Sequence, residues 1–306
     1  MKYYPEGKLL NTAENRNYLR NADTLREAFL NKTALEGRVM LCDSEHNLHV
    51  NLECMKGIIP RENGAIGLDD GSVRDIAVIS KVNKPVVFII DEFRRDEKGE
   101  LFAILNRRAV QENCYRDYIS HLDSGDVIDA KVCHMESFGV FADIGAGINS
   151  LLPIDSISVS RIPHPNTRFT SGQDIKAIVK TRDDFGRIVL THKELLGTWE
   201  ENSRRFSVGE TVPGIVRSIE KYGIFVELAP NLAGLAEYTE GIVPGQNAAV
   251  YIKSIIPERM KIKLIIVDSF DAHYPIEKTN YFTDEKHISH WRYSPDCCEK
   301  IVETNF

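Results

Sequence analysis

Short alternating runs of apolar and polar residues, rather than long helical stripes, dominate the hydrophobic pattern of this chain. The most regular stretch is Ala130–Pro153, AKVCHMESFGVFADIGAGINSLLP. Ala130, Val132, Val140 and Ala142 stand among β-branched and aromatic neighbours, which predicts two strands. Asp143-Ile144-Gly145-Ala146-Gly147 supplies the turn chemistry that follows them. Phe138 and Phe141 are three residues apart, and a regular strand would send them to opposite faces. Gly139 between them admits a bulge or sharp bend that brings both rings to one face. Two rings on one sheet face, near a cation such as Lys131, form a platform on which unpaired bases stack.

The same frame occurs three times. Gly37-Arg38-Val39 is followed twenty residues later by Gly57-Ile58-Ile59-Pro60. Ala130-Lys131-Val132 leads at the same interval to Ser150-Leu151-Leu152-Pro153, and Gly214-Ile215-Val216 to Gly234-Leu235-Ala236-Glu237. A constant interval between matched strand starts argues for a duplicated β unit. Phe138-Gly139-Val140-Phe141 of the second copy matches Tyr222-Gly223-Ile224-Phe225 of the third, and Gly172-Gln173 matches Gly245-Gln246. In the first copy the ring positions fall on Glu45 and Leu48, so this frame leaves it without an aromatic pair.

These residues resemble the S1 RNA-binding domain, a five-stranded barrel of the OB type. The family's frame is a glycine opening strand one, Phe-Gly-x-Phe on strand two, Gly-Leu-x-His after strand three, and Asp-x-x-Gly-Arg before the last strand. Phe138, Gly139, Phe141, Asp183, Gly186 and Arg187 fit it. The family's histidine falls on Pro153, and His164, in the insert that follows, is either a stand-in or a simple turn residue. In the third copy Tyr222 and Phe225 fit, while the histidine falls on Glu237, the aspartate on Pro257 and the arginine on Lys261. The resemblance extends over about residues 36–267, and with three copies the chain resembles the ribosomal protein S1 family in a short bacterial form.

The organisation expected is mainly β: three tandem five-stranded S1-type OB barrels joined by short helices. Residues 1–35 form a helical segment, with Tyr18, Ala22, Leu25 and Phe29 at helical spacing and Thr24 with Glu27 as a capping box. Residues 36–105 form a degenerate first barrel, with strands at Arg38–Cys42, His46–Leu52, Met55–Ile59, Arg74–Val82, Pro85–Glu92 and Leu101–Leu105. Residues 106–124 form a linker helix with Val110, Cys114 and Tyr118 on its apolar side. Residues 125–194 form the second barrel, 195–207 a linker carrying Trp199 between barrels, 208–267 a shortened third barrel, and 268–306 an acidic tail. The third copy is eleven residues shorter after strand three, so a helix there is short or absent.

Charge modifies this picture. The net charge is −7, against a simple phosphate-neutralising binder. Residues 125–194 hold eight Lys/Arg against nine Asp/Glu, and residues 208–267 six against six, whereas the tail holds four against eight. Barrels this close to neutral bind nucleic acid by stacking with a shallow salt dependence, or do not bind it at all. The six cysteines form no CxxC pair, which fits reduced thiols in a cytoplasmic protein. No apolar run reaches membrane length, and MKYYPEGKLL lacks the core of a signal peptide.

The candidate RNA-binding residues are Phe138, Phe141, Asp183, Arg187, Lys131, His164, Tyr222, Phe225 and Lys261. Arg187 either forks onto a phosphate or pairs with Asp183 as a surface ion pair. His287, His290, Cys297 and Cys298 raise a weak case for zinc. Adjacent cysteines rarely share one small site, so a tail packing Trp291 and Tyr293 on the third barrel is preferred. No nucleophile elbow, phosphate loop or paired-carboxylate motif stands out, so neither catalysis nor a cofactor is expected. The resemblance implies a non-catalytic binder of single-stranded messenger RNA working with the small ribosomal subunit. A protein–protein adaptor, bound to ribosome or ribonuclease and keeping only vestigial RNA affinity, is the alternative.

Overall fold

The computed structural model describes residues 3–272, 274, 275 and 278–306. Its strands close into three five-stranded barrels. The first uses β1 (Leu35–Cys42), β2 (Leu48–Asn51), β3 (Lys56–Ile59), β4 (Pro85–Arg95) and β5 (Leu101–Asn106) in the order β1-β2-β3-β5-β4. The second uses β6 (Val127–Glu136), β7 (Gly139–Asp143), β8 (Asn149–Pro153), β9 (Asp174–Arg182) and β10 (Ile188–Thr191). The third uses β11 (Thr211–Glu220), β12 (Gly223–Ala229), β13 (Leu232–Ala236), β14 (Asn247–Ile256) and β15 (Lys261–Phe270). In each, the third strand runs parallel to the fifth. Alternate apolar residues fill the interiors: Ala130, Val132, Val140, Ala142 and Leu152 are all buried in the second barrel.

The chain divides into two compact units, one of residues through Leu122 with Asp143–Asn149, the other of Asp123–Ala142 with Ser150–Phe306. In the first unit, α1 (Ala13–Leu19) and α2 (Ala22–Leu30) lay Leu19, Leu25 and Ala28 on the core of the first barrel. The cap of α2 is Asn21, whose side chain accepts from the amides of Asp23 and Thr24, not the expected Thr24. Thr24 sits inside the first turn and turns its hydroxyl back to the Tyr18 carbonyl.

The strand expected at Arg74–Val82 is instead a short helix, α3 (Ile76–Ile79). The five strands of this barrel already satisfy one another's backbone, so a sixth apolar run has no edge to join. Val78 is buried while Ile76 stays exposed. The linker helix α4 (Arg107–Asp117) begins where Asn106 caps the amide of Ala109.

A buried charge network ties this unit together. Glu6 Oε1 accepts from Arg107 Nε at 2.6 Å and from the Val87 amide at 3.2 Å, and Glu6 Oε2 accepts from Lys81 Nζ at 2.7 Å. The Glu6 amide donates to Asp143 Oδ2 at 2.7 Å. Beside it Glu36 accepts the amides of Gly7, Leu9 and Leu10.

In the second unit, the linker after β10 is interrupted at Gly197, whose φ of +80° ends a 3-10 turn over Lys193–Leu196. Helix α5 (Trp199–Ser203) restarts behind a capping box of Thr198 and Glu201. Trp199 is buried in one cluster with Ile178 of β9 and with the core of the third barrel, and Trp291 and Tyr293 of the tail complete that cluster. The tail also bonds to the second barrel, through Lys286 O with the Val127 amide and the Ile288 amide with Gly125 O. No helix forms between β13 and β14 of the shortened third copy.

Candidate nucleic-acid interface

Phe138 and Phe141 stand 6.0 Å apart between ring centroids, edge to face at 87°. Tyr222 and Phe225 repeat this at 6.1 Å and 89°. Phe138 is 53% exposed and Tyr222 69%, while Phe141 and Phe225 are half-buried on the outer faces of their strands. Neither pair is sealed in a barrel interior. The means differs from the expected bend at glycine. Phe138 and Tyr222 occupy the hairpin turns just before β7 and β12, where strand alternation does not apply.

The glycines that follow serve a close approach of strands. A Cβ on Gly139 would stand 2.5 Å from the Leu152 carbonyl, and one on Gly223 would stand 2.4 Å from that of Ala236. Gly223 also has φ +147°, which disfavours any side chain. Gly223→Ala is expected to destabilise the second unit by about 2–3 kcal/mol, read as a lower midpoint in urea unfolding.

The register of the third barrel sets a row across its outer face: Ser218, Phe225, Leu235, Lys263 and Ser254 lie side by side on successive strands. Lys261 lies two residues before Lys263, at the start of β15, and both are exposed. In the second barrel Val189 occupies the place of Lys263, paired with Leu151 and Thr181. Arg187, two residues before Val189, therefore takes the place of Lys261.

Asp183 is occupied with its own hairpin. Its Oδ1 accepts the amides of Phe185 and Arg187, and its Oδ2 accepts Arg187 Nε at 2.7 Å. Burial acts to raise its carboxyl pKa, but the Arg187 amide and guanidinium outweigh this and hold it below the usual carboxylate range. Asp96 builds the same turn in the first barrel, accepting the amides of Lys98 and Glu100 with Gly99 at φ +80°. The Asp-x-x-Gly device is thus a hairpin brace common to both barrels, with Phe185 and Arg187 in the second where the first has Lys98 and Glu100. Phe185 was not singled out from sequence. It is 82% exposed, with the Arg187 guanidinium 5.0 Å from its ring centroid. An aromatic inside Asp-x-x-Gly-Arg, at a hairpin tip with no core to enter, was the available signal.

The first barrel departs from the expected frame by one residue. Leu48 is fully buried, and the outer-row position equivalent to Phe225 is His49, paired with Leu41 and Ile58. Its β1–β2 hairpin is one residue longer and its β2–β3 connection one shorter, so the interval of twenty survives while the ring position moves. His49 Nε2 lies 3.0 Å from Asp43 Oδ2, and His46, at the hairpin tip, lies 3.5 Å from Asp75.

Lys131 reaches toward Asp174 at 3.9 Å. His164 caps a short turn, its Nδ1 accepting the Asn166 amide. In the tail His287 contacts Asp126 and His290 contacts Glu303, Cys298 is buried and Cys297 exposed. Among the described residues no group of three or more His, Cys, Asp or Glu side chains is placed to hold a metal ion. No described helix is long and apolar enough to cross a membrane.

The S1 RNA binding domain family matches residues 122–193, the span of the second barrel. The small ribosomal subunit protein bS1 of Staphylococcus aureus is 33% identical over 181 residues, which cover 54% of this chain and 46% of the relative. The bS1 protein of Rhodopseudomonas palustris is 29% identical over 222 residues, 71% of this chain and 37% of its own. The bS1 homolog of Bacillus subtilis is 32% identical over 163 residues, 51% of this chain and 42% of its own. The second barrel matches the S1 RNA binding domain, and the chain is similar to ribosomal protein S1 over these segments. The chain spans less than half the length of these S1 relatives. The S1 match stops before the third barrel, yet that barrel repeats the ring geometry of the matched one to within 0.1 Å and 2°.

Proposed function

We propose that this chain is a non-catalytic binder of single-stranded RNA that works with the small ribosomal subunit in translation. The observation that carries the reading is the pair of exposed edge-to-face ring pairs, Phe138 with Phe141 and Tyr222 with Phe225, on two barrels of one unit. Unstacked bases insert against these rings; Arg187, Phe185, Lys261 and Lys263 border them with cations and a further aromatic face. Stacking accepts any base and discriminates by exposure of the π-face, which duplexes deny. The relatives named as small-subunit proteins support the ribosomal assignment.

Anisotropy of a labelled oligo-U and of a duplex of equal length tests this. The single strand is expected to bind in the micromolar range with a shallow salt dependence, and the duplex at least tenfold more weakly. Equal or tighter binding of the duplex would remove the proposal.

A second reading, docking onto protein, attaches to the first barrel alone. Its row carries His49 in place of a ring, with Met40 and Leu41 exposed beside it.

A further inference from the structure

A cavity of about 870 Å³ lies in the second unit, and none of the four rings lines it. Its walls come from the insert around Pro163–Phe169, the linker at His192 and Arg205, β11 and β12 of the third barrel, and the tail at Phe282. Its described lining residues include four cations, Arg168, Arg205, Arg217 and Lys278, and one carboxylate, Glu227. His192 adds no charge at neutral pH, because burial, helped by the Arg168 charge nearby, outweighs its bond to the Ile157 carbonyl and brings its pKa down to about 4.

Glu227 is shared between two guanidinium groups. Arg217 holds it in a fork, Nε to Oε2 at 2.9 Å and Nη2 to Oε1 at 3.0 Å. Arg168 Nη2 donates to Oε2 at 2.5 Å. The three side chains are only 9%, 5% and 11% exposed for Arg217, Glu227 and Arg168. One carboxylate neutralises one guanidinium, so a second positive charge is left inside the protein. Arg168 Nε is buried with no hydrogen-bond partner. An uncompensated buried charge and an unpaired buried donor are each costly to fold. An anion that entered the cavity would relieve both at once.

We propose that this cavity seats a phosphate group, with Arg168 as its principal donor. The planar arginine fork suits phosphate oxygens, and two arginines with Arg205 nearby supply the charge. Glu227 lies two residues beyond Phe225 on the outer face of β12, so the seat is roughly 7 Å along the strand from a stacking ring. The phosphate belongs either to the backbone of a strand stacked on the third barrel, which rests on the RNA reading above, or to a free nucleotide.

Calorimetric titration of the full chain with 5′-UMP and with uridine, alongside oligo-U anisotropy across a salt series, tests the seat. UMP is expected to bind at least tenfold tighter than uridine. Arg168→Gln leaves the Glu227–Arg217 fork in place and is expected to weaken UMP at least tenfold and to lower the salt slope for oligo-U by about one. Glu227→Gln removes the competing carboxylate and is expected to tighten UMP severalfold, which a merely structural role would not do. If uridine matches UMP, or Arg168→Gln leaves UMP unchanged, the seat is overturned. If Arg168→Gln weakens UMP but leaves oligo-U and its slope untouched, the seat stands with a free nucleotide as its source. UMP bound through Arg168 by a chain that ignores oligo-U would keep the seat and remove the RNA reading.

Discussion

Replacing Phe138 and Phe141 together by alanine lowers the affinity for oligo-U by about 30-fold or more. Each stacked base contributes on the order of 1–3 kcal/mol by alanine substitution, and about 1.4 kcal/mol is a factor of ten. Two rings therefore supply about 2 kcal/mol at the least. Both lie on the outside of the second barrel and fill no part of its interior, so its melting temperature should move little. Tyr222→Ala with Phe225→Ala should act in the same direction on the third barrel. The measurement is anisotropy of a labelled oligo-U, with melting followed by circular dichroism. Unchanged affinity in both double variants would leave the ring pairs without a role in RNA binding.

Glu6→Gln is expected to destabilise the first unit by about 3–5 kcal/mol, because it leaves Arg107, 2% exposed, facing a neutral amide. The charge state of Glu6 also shapes the response to pH. Burial alone would raise its carboxyl, but Arg107 and Lys81 outweigh burial and bring it from 4.5 down to about 2. Stability from this group is fully present above about pH 4.5 and is lost as pH falls toward 2. Glu36 works the other way: burial pushes it from 4.5 up to about 7. Its contribution is fully present below about pH 4.5 and is lost as pH rises through 7. The first unit should thus be most stable near about pH 5. Hydrogen exchange at the Val87 amide, compared at pH 3, 5 and 7.5, follows this unit alone. Glu6→Gln should reduce the loss on the acid side, which Asp43, brought to about 2 chiefly by its bond to His49, shares; an unchanged acid limb would show that the network does not govern it.

The repeat and the barrels were legible because inward residues alternate so regularly; Val132, Val140 and Val226 name their own faces. The ring pairs were legible as residues but not as geometry. Sequence suggested a bend at Gly139, whereas the turn before it aims Phe138, and the glycine admits the Leu152 carbonyl. The first copy was misframed because a lengthened hairpin and a shortened connection cancel over the interval Gly37 to Gly57, hiding that His49 and not Leu48 faces outward. Arg74–Val82 reads locally as strand, and only the completeness of the barrel shows that no partner remains for it. The cavity was invisible because Arg168, Arg217 and Glu227 come together only when two barrels pack, and no local spacing encodes that.

The strap formed by the tail, which bonds to Gly125 and Val127 at one end and packs Trp291 and Tyr293 into the third barrel at the other, carries a last consequence. On the RNA reading proposed above, it turns two platforms that a loose linker would let wander into a gauge of one set width. A ligand too short to bridge that width gains nothing from the second platform. Affinity plotted against oligonucleotide length should rise in a single step rather than a ramp, and cutting the tail should smooth the step away.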